Sequence, residues 1–479
     1  MTIWATLLAG LLTVPLSIGP GLAADTGKKS LADAARAGDR EALIAVLKAS
    51  PKEDVVGPKG LAALIWAAWR NDLPMAELLL GVGVNPKGAN EYGATALYAA
   101  AALADATMTT KLIAAGADPN ATLLSGETPL MEAARRGNIA PVSALLTGGA
   151  KPNAQETNGG QTALMWALSE RHAAVAAELI KRGADVHMRT KRGFTPLMFA
   201  AQQGDAESAR ILIAAGARPN DVMPRTGFTS LIIASAMGRT DVAATLLQNG
   251  ADPNVTDANG FTALHHAVKD RDAVALVQTL LRHKAKPDVR LKQEKVSAVT
   301  VAGIVLQGAT PLMFAAEANN LEAIMALTES GANPQIPTEM KTTPLMLAVG
   351  AGVDVVRPRP PEERATAIET AKFLIEKGAD IHATGQFGWT ALHGAAYQGM
   401  NEVIEYLVGK GANIEARDDF GQTPLSIAHA AVTKKMDLGT DVPQIPRIYR
   451  KDTIDTLLKL GAIPLEQSGV DISFQRTGE

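Results

Sequence analysis

The sequence predicts an all-α repeat solenoid, about twelve stacked helix-turn-helix units, and three observations carry that prediction. Leucine recurs at 31, 64, 97, 130, 164, 197, 231, 264, 312, 345, 392 and 425, in steps of 33 or 34 except for two of 48 and 47. An alanine stands three residues after every one of these leucines, from Ala34 to Ala428. The composition is 47% hydrophobic but only 4% aromatic, which suits short helices whose small side chains let backbones approach and does not suit a β-sandwich.

Each unit reads in the same order. Thr128-Pro129-Leu130, Thr195-Pro196-Leu197, Thr310-Pro311-Leu312, Thr343-Pro344-Leu345 and Thr423-Pro424-Leu425 open their repeats, and Thr95-Ala96-Leu97, Thr162-Ala163-Leu164, Thr262-Ala263-Leu264 and Thr390-Ala391-Leu392 are variants. Threonine caps a helix, and proline suits the first helical position, where its missing N–H has no partner to lose. A short apolar helix follows and stops near a glycine, as at Gly137 or Gly204. A second helix, such as Ile139 to Thr147, ends in Gly-Ala and a turn, as in Gly116-Ala117-Asp118-Pro119-Asn120, where glycine supplies the left-handed conformation that closes a helix. Helices of this length are marginal alone, so each must bury its apolar stripe on its neighbours.

At these positions the chain resembles the ankyrin repeat, over residues 30–465. The resemblance implies a β-turn or hairpin finger followed by two antiparallel helices in each unit. It also implies that a partner meets the finger tips and the concave face of the first helices. The first unit, Ser30 to Ala49, lacks the Thr-Pro start and reads as a cap.

Outside the repeats, Ile3 to Ile18 is uncharged and largely apolar, and Gly21-Leu22-Ala23 offers small residues to a signal peptidase. Residues 1–23 therefore read as a signal peptide, which places the mature chain in the periplasm or outside the cell. The start is atypical, since no Lys or Arg precedes Lys28. No later stretch approaches the roughly 20 apolar residues needed to span a bilayer, so no membrane span is expected. A monomer is expected. Residues 466–479 read as a polar tail, frayed from about Gln467.

Three insertions break the period, near 290–307, 352–365 and 434–450. The first joins Arg290-Leu291-Lys292-Gln293-Glu294-Lys295 to the apolar stretch Val296 to Leu306, with Arg282, Lys284 and Lys286 nearby. It reads either as a projecting docking arm or as a self-packed loop. The second holds Arg357-Pro358-Arg359-Pro360-Pro361-Glu362-Glu363-Arg364, whose adjacent prolines favour an extended polyproline spacer. The third, roughly Lys434 to Arg450, is placed to cover the final apolar face.

Net charge is −3, which supplies no field for nucleic acid, and the absence of cysteine excludes thiolate zinc sites, disulfides and a catalytic thiol. Phosphate loops, paired-histidine zinc helices and nucleophile elbows are absent in their required spacings. No cofactor, metal or catalytic residue is therefore expected. His265 and His393 follow anchor leucines, where the resemblance implies a histidine hydrogen-bonded within the turn. Met131, Met165, Met198, Met313 and Met346 take the same place and read as packing.

The residue before the Thr start lies at the base of the finger and is commonly exposed. Here it is Phe194, Phe228 and Phe261 in consecutive repeats, and Trp389 later, with Arg189, Lys191, Arg192 and Arg225 close by. Rigid aromatics rimmed by guanidinium groups suit a protein interface; the other reading is that each ring packs on the next finger. The expected function is a non-enzymatic scaffold that holds another protein outside the cytoplasm. The alternative is an accessory or inhibitor that regulates an exported enzyme through the arm near 290–307.

Overall fold

The computed structural model describes residues 30–292, 300–301, 304–305, 307–351, 361–430, 432–433, 448–469 and 472–473. The signal-peptide reading of residues 1–23 and most of the three insertions lie outside them. The chain forms two compact units, residues 1–196 and 197–479.

In the first unit the first helices of successive repeats are Leu31–Ala37, Pro58–Trp69, Ala96–Ala102, Pro129–Arg136 and Ala163–Ser169, each packed on the next. Their partners Arg40–Ala49, Leu73–Gly81, Ala106–Ala114, Ile139–Thr147 and Ala173–Lys181 form a second layer. The anchor leucines and alanines lie between the layers: Leu64, Leu97 and Leu164, with Ala67, Ala100 and Ala167, are fully buried. Each such leucine contributes roughly 1.5–3 kcal/mol of apolar burial. The helices begin where threonine predicts. Thr95 Oγ1 accepts the Tyr98 N–H at 3.1 Å and Thr128 Oγ1 that of Met131 at 3.2 Å, caps worth about 1 kcal/mol each. The first unit's cap uses Ser30 instead, in a reciprocal box with Asp33, whose carboxyl is held below its usual range chiefly by the Ser30 hydroxyl. Between the first two repeats a short helix, Lys52–Val56, stands where a finger is expected.

The second unit repeats the plan from Pro196–Gln203 to Lys451–Lys459. The stack runs straight through the insertions. The first helices Ala263–Ala267 and Pro311–Glu317 pack together across the step of 48, and Pro344–Ala348 packs on Ala391–Gln398 across the step of 47. Keeping these helices in register is favourable because a longer connection costs little entropy whereas breaking the stack would expose two apolar faces.

Two expectations need correction. Pro361 opens a sixteen-residue helix, Pro361–Glu376, so Glu362, Glu363 and Arg364 are helical rather than part of an extended spacer. A proline at the first helical turn starts a helix as readily as it extends a spacer. The tail also does not fray at once beyond Gln467: Ile472–Ser473 pairs antiparallel with Val432–Thr433 beside the third insertion. That pairing and Thr300–Val301 with Ile304–Val305 are the β pairs among the described residues.

Candidate protein-interaction surface

The fingers of the first unit are built by one recurring backbone pattern. Each closes on itself, with Asn90 N–H donating to Ala94 O at 3.0 Å, Leu123 to Glu127 O at 3.0 Å, Glu156 to Gln161 O at 3.1 Å and Thr190 to Phe194 O at 2.9 Å. Each then reaches its predecessor: Leu124 N–H donates to Tyr92 O at 3.1 Å, Thr157 to Ser125 O at 2.8 Å and Lys191 to Gly159 O at 2.8 Å. Four fingers thus form a continuous hydrogen-bonded row. Gly126 sits in the left-handed region, and a Cβ there would stand 2.9 Å from the Thr157 amide, so glycine permits the close approach.

Behind the fingers an asparagine ladder ties the turns. Asn120 donates to Gly149 O at 3.0 Å and accepts from Lys151 N–H at 2.8 Å; Asn153 does the same with Gly183 and Asp185 at 3.0 and 2.8 Å. In the second unit Asn220 and Asn254 repeat it. Asp288 stands at the next rung and accepts the Asn333 N–H at 3.1 Å, its pKa raised by burial.

The sequence-predicted residues fall on these fingers. Arg189, Lys191, Arg192 and Phe194 share one finger of the first unit. Lys191 and Arg192 are exposed, and Phe194 is half-buried. Lys191 Nζ donates to the Thr157 carbonyl of the preceding finger, and Arg189 Nη1 to Gly193 O at 3.2 Å. In the second unit Phe228 and Phe261 both flank His266, with ring centroids 6.2 and 5.4 Å away. Phe228 is half-buried and Arg225, on its finger, is exposed.

Phe261 corrects the expectation of an exposed row. It is only 6% exposed, packed 5.5 Å from the fully buried Phe314 and under Lys269, whose Nζ lies 4.5 Å from its ring centroid. Phe314 comes from the first helix of the next repeat, Pro311–Glu317, and an apolar ring with an apolar neighbour at hand buries itself. Trp389 stands apart on a later finger, stacked on His393 at 6.2 Å, with its Nε1–H donating to Asp418 Oδ2 at 3.2 Å. Burial pushes the Asp418 carboxyl up to about 6.

The histidines do what the repeat requires. Thr262 N–H donates to His265 Nδ1 at 3.1 Å, and Thr390 N–H to His393 Nδ1 at 3.1 Å, which makes Nδ1 the acceptor and leaves Nε2 protonated. His393 Nε2 accordingly donates to Gln422 O at 3.2 Å. Burial depresses their pKa values to about 3 and about 4. Met131 and Met346 stand at the same position, and each takes the Thr N–H on its sulfur at 3.5 Å. His187 and His382 donate their backbone N–H to Asp185 and Asp380 at 2.8 Å, as turn residues do.

Sequence reasoning missed several side chains of the first unit. Leu124 is 78% exposed and Tyr92 48% exposed, side by side on neighbouring finger tips. On the first helices, the Arg36 guanidinium lies 5.9 Å over Trp66, and that of Arg135 lies 5.7 Å over Trp166. Arg135 is held there by the buried Glu132, which takes bonds of 2.9 and 2.8 Å from it and 2.9 Å from Arg136. Tyr98 donates its hydroxyl to Glu127 at 3.1 Å, with its pKa raised by burial. The signal for Tyr92 and Leu124 was available: both precede a finger glycine, Gly93 or Gly126, by one or two residues.

Among the described residues no group of three or more His, Asp or Glu side chains is placed to hold a metal ion, and no helix is long and apolar enough to cross a membrane. Models of the ankyrin repeat in three copies match residues 31–122, 101–190, 175–257, 277–357 and 364–435, and a single-repeat model matches 259–292. Among solved structures the chain is similar to the ankyrin repeat domain of Bcl-3, a member of the IkappaB protein family. That match has 27% identity and a TM-score of 0.39, over 42% of this chain and 91% of that one.

Proposed function

Since the chain belongs to the ankyrin repeat family, whose repeats are protein-interaction scaffolds, we propose that it holds a protein partner along its finger row, outside the cytoplasm, after removal of residues 1–23. The observation that supports this most is the hydrogen-bonded row of fingers carrying Tyr92 and Leu124 in the open, with the cationic finger Arg189 to Phe194 at its end. Exposed apolar side chains on a rigid edge are what a partner covers, and they cost nothing in the fold when removed.

Affinity capture from an extracytoplasmic extract tests the reading. The wild-type chain is expected to retain a specific protein that a Tyr92→Ser/Leu124→Ser variant of unchanged circular dichroism releases. Equal capture by both chains removes the finger row from the interface. The compartment is tested separately, by N-terminal sequencing of the chain from the cell envelope: an intact Met1 there, or a chain found only in cytosol, ends that part.

The second reading is a regulator of an exported enzyme acting through the arm near 290–307. It is supported by how the arm leaves the row. Leu291 N–H donates to Ala309 O at 2.9 Å, Gly308 N–H to Leu291 O at 3.1 Å, and Arg290 Nη2 to Pro337 O at 3.0 Å, so the base of the arm is clamped to the row. Deleting 293–306 is expected to abolish inhibition of the target enzyme while leaving the finger-row capture intact.

A further inference from the structure

We propose that the finger row of the first unit takes an extended segment of its partner that carries an apolar side chain at one end and clustered carboxylates at the other. This deepens the finger-row reading and rests on it. The chemistry of the row changes along its length. Tyr92 and Leu124 stand exposed on the first two fingers, linked through the Leu124 N–H bond to Tyr92 O at 3.1 Å. The third finger, Glu156 to Gln161, presents Thr157, Asn158 and glycines. Its one acid, Glu156, is buried and fully occupied by the N–H groups of Asn158, Gly159 and Gln161 at 2.6, 2.8 and 2.8 Å. The fourth finger brings Lys191 and Arg192 to the tip, both exposed.

Lys191 and Arg192 form no ion pair among the described residues. Lys191 is steered instead by the Thr157 carbonyl, which fixes its ammonium beside the third finger without neutralising it. A carboxylate arriving there completes a pair whose cationic half is already positioned, so less side-chain entropy is lost on binding. Arg192 adds a planar fork suited to a second carboxylate. A nucleic acid would use the cations and stack a base on Tyr92, but two cations on a chain of net charge −3 neutralise few phosphates and leave Leu124 unused, which favours a polypeptide.

The spacing sets the length of the segment. Stacked helical layers lie about 8–10 Å apart, so Leu124 stands roughly 8–10 Å from the third finger, beside which the Lys191 ammonium is held, and roughly 16–20 Å from the fourth, which carries Arg192. An extended chain rises about 3.3 Å per residue, so the two acidic positions of the segment stand about three and about five or six residues from the apolar one.

The test is selection of a displayed random dodecapeptide library on the immobilised full chain, followed by titration of synthetic winners. Enriched peptides are expected to pair two or more Asp or Glu with an aliphatic or aromatic residue at that spacing. Their affinity is expected to fall about tenfold on Lys191→Glu/Arg192→Glu, to weaken with added salt, and to fall several-fold on Leu124→Ser. If the charge reversal perturbs the fold, Lys191→Gln/Arg192→Gln is expected to move affinity in the same direction by a smaller factor. Winners without acidic bias, or winners indifferent to both substitution sets, overturn the acidic–apolar assignment. In that case peptides that still bind, and are released by Tyr92→Ser/Leu124→Ser, leave the finger-row reading standing. A DNA oligonucleotide that binds as tightly as the best peptide also overturns the assignment, and a chain that enriches no peptide overturns it together with the finger-row reading.

Discussion

Lys284 occupies a place where ten other repeats have glycine. The second helix of a repeat closes on a left-handed residue at Gly83, Gly116, Gly149, Gly183, Gly216, Gly250, Gly331, Gly378, Gly411 and Gly461, and Lys284 is driven to the same conformation with φ 67°. A side chain there carries a steric cost of about 1 kcal/mol that glycine does not, and the Lys284 head is exposed. Lys284→Gly is therefore expected to raise stability by about 0.5 kcal/mol, once the greater freedom of glycine in the unfolded chain is subtracted. A higher urea midpoint at unchanged slope checks it. The aromatic positions show why single residues were only half legible. Phe194, Phe228 and Phe261 occupy equivalent places in the repeat, yet Phe261 alone has Phe314 beside it, and that neighbour comes from beyond the first insertion.

The start of the first helix is the element whose chemistry sets the response to acid. His265 and His393 have folded pKa values of about 3 and about 4 because burial opposes their charged forms. In the unfolded chain each titrates near 6.5, so the unfolded state binds more protons below that pH. Their stabilising contribution is full above pH 6.5 and is lost as pH falls, by up to about 1.4 kcal/mol per unit for each histidine. Asp418 has the opposite sign. Its folded pKa, about 6, lies above its unfolded value, so burying its charge costs stability at neutral pH and that cost is relieved as pH falls through 6. Between pH 6 and 4 it offsets part of the histidine loss. His265→Met/His393→Met copies the residue that five other repeats use there and is expected to flatten the acid limb of a stability-against-pH curve. Asp418→Asn is expected to steepen it. Denaturant melts at pH 7, 6, 5 and 4 measure both, and unchanged slopes sink the assignment. The pattern Thr-x-x-His was readable from sequence; the opposing carboxylate was not, because its pKa is raised by burial in the stack, which the Trp389 Nε1–H bond offsets only in part.

Across the molecule, stability is a sum over neighbouring repeats, so an insertion matters only if it enters the stack. The first helices on either side of the first insertion pack on each other directly, and the arm is clamped at its base by Leu291 and Ala309. Excising 293–306 is expected to move the calorimetric midpoint by about 2 °C or less. A drop of 10 °C, on the same scale of about 2–4 °C per kcal/mol, places the arm within the core instead.

By itself the sequence determined the period, the caps and the buried ladder of leucine and alanine, because these follow from local rules: a threonine before a helix, a glycine after it, one apolar stripe every 33 residues. It also separated structural histidines and methionines from any catalytic set. Only the tertiary structure decided which finger-tip side chains remain in water. Tyr92 and Leu124 stay exposed while Phe261 is covered, and the difference lies in what the neighbouring repeat places above each one. Exposure is a property of the neighbour as much as of the residue, and in a stack the neighbour lies about 33 residues or more away.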